Sequence, residues 1–183
     1  MNRINIHTTN LRLPPSDTIP TAMADYENST TATTVAALPE PVRTAVLERA
    51  TAAQLTLAPD APAYVTRSRR LRKHGAFARL TRTADRDTEH LTALVLGGKD
   101  ILVATHGEQR GTAVLAARLE DVDVGSAVDR LAAAQGDEGV TVTGFPVAVE
   151  GVMSRGSFFV GLGAPDRERA RAALEGAVRR AKR

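Results

Sequence analysis

Dense apolar sequence is concentrated in one part of the chain, where three short runs are separated by polar breaks. The runs are Leu91–Leu96, Ile101–Thr105 and Thr112–Leu119. Each break holds two glycines, and glycine supplies the positive φ angles that tight hairpin turns require. The pattern predicts a three-stranded antiparallel meander. Because the first two runs are apolar on both faces, we expect them to be its central strands.

Two amphipathic helices are predicted on either side of this meander. In the first, spanning residues 38–57, Val42, Val46, Ala50 and Ala53 recur at three- and four-residue spacing behind a proline that suits a first helical turn. The last helix opens at Pro165-Asp166, and its apolar stripe comprises Ala170, Ala173, Leu174, Ala177, Val178 and Ala181.

Four further strands bring the predicted total to about seven. One begins at Ala63, and the other three span residues 76–82, 140–143 and 157–162. A short helix is predicted to begin at Ser126, with serine as its N-cap. Residues 153–156, which follow Pro146, are expected to form a connection. The fold class predicted is therefore α+β with antiparallel strands and a C-terminal capping helix.

The N-terminal residues 1–37 show no periodicity, and their sequence contains a polar tract from Asn28 to Thr34. Such a tract buries too little apolar surface to offset the entropy lost on ordering. We therefore expect a disordered tail before the first helix and the main domain at residues 63–183.

Composition narrows the function classes. The 183 residues include no cysteine, which excludes disulfides and thiolate-based metal or redox chemistry. Aromatic residues make up 3% of the chain and tryptophan is absent, so the core must be aliphatic. Neither an apolar run long enough to span a membrane nor a secretory signal is visible. The expected location is the cytoplasm.

The order of elements resembles a bacterial pleckstrin-homology-like domain over residues 63–182. The segments that carry the resemblance are Thr92–Leu96 with Ile101–Thr105, Ala117–Val122, and Phe158–Val160 before the last helix. The resemblance implies a partly open antiparallel β-barrel or sandwich that the final helix closes. It also implies that the loop between the first two strands of the domain holds an anionic headgroup in eukaryotic relatives.

A basic run occupies about that place. Its residues are Arg67, Arg69, Arg70, Arg72 and Lys73. Arginine recognises phosphate and carboxylate through planar, bidentate hydrogen bonds, and each base near an anionic bilayer adds about 1 kcal/mol. The partner expected first is another protein with an acidic surface, and the second is an anionic membrane surface. A solvated face without a specific role remains open, since an arginine-rich composition produces such runs without function. Nucleic acid is disfavoured because few aromatic side chains are available for stacking.

No other motif has the spacing of a catalytic or cofactor site. Gly161-Leu162-Gly163 lacks the third glycine of a dinucleotide fingerprint, and the histidines lack metal-ligand spacing. We therefore expect no cofactor, no metal and no catalytic residue, and we predict a non-enzymatic binding or scaffold module. One rival is an enzyme whose pocket would gather His90, His106 and the acidic segment 85–89. Another is a subunit of a larger assembly whose tail orders on contact.

Overall fold

The computed structural model describes residues 26–71, 87–125, 138–149 and 152–183. Among these residues the fold is α+β, with two α-helices and eight strands. The strands are β1 (Tyr26–Thr34), β2 (Pro62–Arg70), β3 (Glu89–Leu96), β4 (Asp100–Gly107), β5 (Gly111–Arg118), β6 (Asp123–Val124), β7 (Gly139–Val149) and β8 (Val152–Gly161). The helices are α1 (Glu40–Ala52) and α2 (Arg167–Ala181), and a short 3-10 helix spans Val35–Ala37.

The strands form two antiparallel sheets. The first has the order β1-β2-β3-β4-β5 and the second the order β6-β7-β8. The predicted meander is confirmed as β3, β4 and β5, and its first strand lies at the centre of the five-stranded sheet. No hydrogen-bonded strand pair links the two sheets within the described ranges, so they do not close into a continuous barrel.

Alternation along the strands explains why the five-stranded sheet is covered on both faces. Successive side chains of a strand point to opposite faces. In β3, Leu94 and Leu96 therefore pack with the second sheet and α2, whereas Ala93 and Val95 pack with α1. The molecule thus has α1 on one face of the first sheet, and the second sheet with α2 on the other.

Both helices bury the apolar faces that their spacing predicts. Val42, Val46 and Ala50 of α1 are buried, and this helix packs mainly over β4 and β5. In α2 the buried residues are Ala170, Leu174, Ala177 and Val178. The closing helix is therefore part of the main core.

The expectation of a disordered tail is wrong for residues 26–37, which form β1 and the 3-10 helix. The polar tract is ordered through hydrogen bonds, since the hydroxyl of the fully buried Thr30 lies 2.8 Å from that of Thr66 and accepts a bond from the Gly163 N–H. The Ala32 N–H also donates to the carboxylate of Asp166, at 2.8 Å. Residues 1–25 lie outside the described part of the chain.

The second sheet also departs from the prediction. Residues 153–156, expected to form a connection, lie in β8, and β7 continues through Pro146. Because β6 pairs only with Val142 and Thr143, β7 has a single neighbour at Pro146 among the described strands, and a missing N–H is tolerated there. Strands β1 and β6 were not predicted, and together with the six predicted strands that fall in the described residues they make up the eight observed. The predicted strand at 76–82 and the helix from Ser126 fall outside the described residues.

Candidate functional site

The space between the two sheets changes from apolar to polar along the strands. In β3 the residues facing the second sheet run from Leu96 and Leu94 at one end to Thr92 and His90 at the other. A pocket of about 320 Å³ lies at this polar end. A polar pocket therefore adjoins the main core between the same layers.

Strands of both sheets contribute to this inter-sheet pocket. Its polar wall includes Tyr26, Ser68, His90, Thr92 and Thr105, which belong to β1 through β4. Phe158 and Phe159 of β8 form the apolar wall, and Arg110 reaches the pocket from the β4–β5 turn. The arrangement combines hydroxyl groups, an imidazole and a guanidinium with an aromatic surface, which suits a small polar ligand with an apolar part.

Asp87 fixes the turn that carries Arg110. Its buried carboxylate accepts a hydrogen bond from the Gln109 backbone N–H at 2.8 Å and one from the Nε of Arg110 at 2.9 Å. These two bonds, the backbone bond first, hold the pKa of the Asp87 carboxyl below its ordinary value. A Cβ at Gly107 would clash with the same carboxylate, so a larger residue there would displace the acid from the end of β4. Asp87 is therefore a positioning residue for Arg110.

An aromatic contact links the pocket to the basic run. The Nη2 of Arg70 donates to the Tyr26 hydroxyl at 3.1 Å, and its guanidinium lies 5.6 Å from the centre of the Tyr26 ring. The same ring meets His90 edge to face, with 5.4 Å between the ring centres. Arg70 thus contacts Tyr26, a residue that lines the inter-sheet pocket.

The three located residues of the predicted basic site do not share one face of the sheet. Period-two alternation puts Arg70 on the face towards the second sheet, and Arg67 and Arg69 on the opposite face. Arg67 pairs with Glu89, at 3.1 Å from Nε to Oε1, and Arg69 lies directly across from Glu27 and Glu89. Acidic neighbours thus balance the two outward arginines.

Arg72 and Lys73 lie outside the described residues, so only three members of the predicted site are located. Sequence reasoning missed Tyr26, which falls in the presumed tail, and Arg110, which was interpreted only as a hairpin residue. The sequence did contain a signal for this pocket. Thr92 and Thr105 are polar residues at inward positions of otherwise apolar strands.

The rival enzyme hypothesis required His90 and His106 in one pocket. The register of β3 and β4 puts their side chains on opposite faces of the sheet, and His106 instead hydrogen-bonds Thr112 at 2.8 Å. Of the acidic segment, Asp87 holds the β4–β5 turn and Asp85 lies outside the described residues. In the described ranges, no three histidine or acidic side chains are grouped closely enough to hold a metal ion.

No helix in the described part of the chain combines the length and the apolar character needed to cross a bilayer. Comparison of the chain with protein-family models, with curated proteins and with solved structures found no match.

Proposed function

We propose that this protein is a non-enzymatic binding module that holds an anionic group, a phosphate or a carboxylate, in the inter-sheet pocket. The observation that carries the proposal is the switch from apolar to polar side chains along the inward faces of β3 and β4. Polar side chains that converge on an opening beside an apolar core are typical of small-ligand sites, where a few polar groups orient the ligand. Arg70, bonded to Tyr26 of the pocket wall, brings a positive charge to the pocket. Arg110, whose Nε is bonded to Asp87, can offer its other guanidinium N–H groups to a ligand.

The proposal includes a pleckstrin-homology-like arrangement for residues 63–182. Seven of the eight strands and the closing helix belong to this stretch, and the pocket lies beside the end of β2 that leads into the basic run. In the resemblance, that is the region where an anionic headgroup is held. Strand β1 and helix α1 would then be additions to the basic domain.

The test compares Arg70 with its neighbour Arg69, which faces the opposite side of the sheet. Inorganic phosphate is titrated into isotope-labelled protein, and binding is followed by the chemical shifts of the Tyr26, His90 and Arg110 signals. We expect saturable shifts in the wild type, weakened about tenfold by Arg70→Gln or Arg110→Gln because a hydrogen bond to a charged group is lost. The variant Arg69→Gln should bind as the wild type does.

A parallel experiment separates a lipid headgroup from free phosphate. Flotation with phosphatidylglycerol vesicles, using phosphatidylcholine vesicles as the neutral control, reports whether the same arginines act at a membrane. Equal losses for Arg69→Gln and Arg70→Gln would overturn the pocket in favour of a general basic surface. Unchanged phosphate binding by the Arg70→Gln and Arg110→Gln variants would overturn it altogether.

A further inference from the structure

A cleft of about 600 Å³ lies between the C-terminal end of α1, strand β5 and the β7–β8 hairpin. Its walls are mainly apolar, with Ala53 and Leu55 on one side and Pro146 and Met153 on the other. Met153 is exposed, with 66% of its surface accessible, although it is a large apolar residue. The cleft shares no lining residue with the inter-sheet pocket, so the two are separate places on the molecule.

The floor of this cleft is the edge of a strand. Three consecutive residues of β5, Ala116, Ala117 and Arg118, line it. Because consecutive side chains of a strand point to opposite faces, a cavity that touches all three lies beside the strand and meets its backbone. Strand β5 is the last in the order of its sheet, and its outer edge pairs with no strand of the described ranges, although β7 lies near it. Such an edge offers N–H and C=O groups to another extended chain.

Among the described residues, the three arginines of the cleft differ in their acidic partners. Arg118 lies 3.2 Å from the carboxylate of Asp100, and Arg155 lies 3.9 Å from that of Asp121. Within the described residues, no carboxylate pairs with Arg49, and its buried Nε lacks a hydrogen-bond acceptor. Leaving a buried donor unsatisfied is unfavourable, so Arg49 is suited to an acid supplied from outside.

We propose that the cleft binds an extended peptide segment of a partner protein, which adds a strand to β5 and sets an acidic side chain against Arg49. Backbone pairing with the strand edge provides affinity, and pockets for alternate side chains provide specificity. Aliphatic side chains next to the acid would pack against Leu55, Pro146 and Met153. An acidic peptide explains the strand edge, the apolar walls and the unpaired guanidinium together.

The experiment uses fluorescence anisotropy with the full chain and three labelled octapeptides. The first alternates threonine and valine, with one central threonine replaced by glutamate. The second carries glutamine in place of that glutamate, and the third is the glutamate peptide with alternate backbone nitrogens methylated. We expect the first to bind, the second to bind about tenfold more weakly, and the third to lose binding because methylation removes strand pairing.

The variant Arg49→Gln should also bind the glutamate peptide about tenfold more weakly and should no longer distinguish glutamate from glutamine. Arg179→Gln, on an exposed position of α2, is the matched control and should behave as the wild type. Thermal melting of each variant verifies folding, and Arg49→Lys should recover part of the discrimination. Failure of all peptides to bind, equal binding of the methylated peptide, or wild-type discrimination by Arg49→Gln would each overturn the proposal.

Discussion

The two ends of the space between the sheets are built from the same strands but have opposite character. At one end Leu94 and Val103 face each other across β3 and β4 and pack into the core that α2 covers. At the other end Thr92 and Thr105 form the equivalent pair, and they line the inter-sheet pocket. Within a strand, whether a residue number is odd or even therefore decides which face of the sheet its side chain lies on. Its position along the strand decides whether that side chain belongs to the core or to the pocket.

The two ends are expected to serve different properties of the protein, the apolar end its stability and the polar end its binding. Burial of aliphatic side chains is the main favourable contribution to folding, so the apolar end is expected to dominate the free energy of unfolding. The polar end contributes hydroxyl groups, which add less to stability and more to recognition. Substitutions two residues apart on one strand should accordingly affect different properties.

The largest expected effect is the loss of core packing in Leu94→Ala. Leu94 is almost fully buried, so we expect a fall of about 2–5 kcal/mol in the free energy of unfolding. Urea denaturation followed by circular dichroism measures it. The matched variant Thr105→Ala at the polar end should cost about 0.5–1.5 kcal/mol but weaken phosphate binding. Equal destabilisation by the two variants would remove the distinction between the two ends.

The second prediction concerns the acid that positions Arg110. Because the pKa of the Asp87 carboxyl is lowered in the folded protein, its contribution to stability is present above the unfolded value of about 4 and is lost as pH falls through the lower folded value. We expect Asp87→Asn to be less stable than the wild type at neutral pH. The difference should shrink at pH values below about 4.

Urea midpoints measured from pH 7 to strongly acidic conditions provide the readout for Asp87. The exposed Asp60→Asn substitution, in the loop before β2, controls for the loss of a negative charge. If the difference in urea midpoint between wild type and Asp87→Asn stayed constant over the whole acid range, the ionised carboxylate of Asp87 would not be the source of the added stability.

Much of the fold follows from local patterns in the sequence. The meander, α1 and α2 were predicted because hydrophobic spacing and turn residues are short-range signals. Strand β1 was not predicted, because its order depends on hydrogen bonds to distant parts of the chain. Thr30 bonds with Thr66, more than 30 positions away, and with Gly163 just before α2, more than 130 positions away. Tertiary hydrogen bonding of this kind leaves no periodic apolar signal.

The candidate site was predicted less well for a related reason. The basic run is contiguous in sequence, but alternation divides Arg69 from Arg70 across the sheet. The inter-sheet pocket instead joins Tyr26, His90 and Arg110, which are far apart along the chain. Only strand pairing brings such residues together, so charge density along the sequence does not show which side chains share a face.

The smallest expected effect lies on the outward face, in the ion pair between Arg67 and Glu89. Both side chains are largely exposed, at 65% and 46%, so solvent screening and lost rotamer freedom offset most of the attraction. A double-mutant cycle with Arg67→Ala and Glu89→Ala should give a coupling of about 0.2–1 kcal/mol in urea denaturation, smaller still in high salt. Phosphate binding should stay unchanged in both variants, because neither residue faces the inter-sheet pocket. A marked loss of phosphate binding on removal of Arg67 would contradict this, since it would assign recognition to the outward face of the sheet.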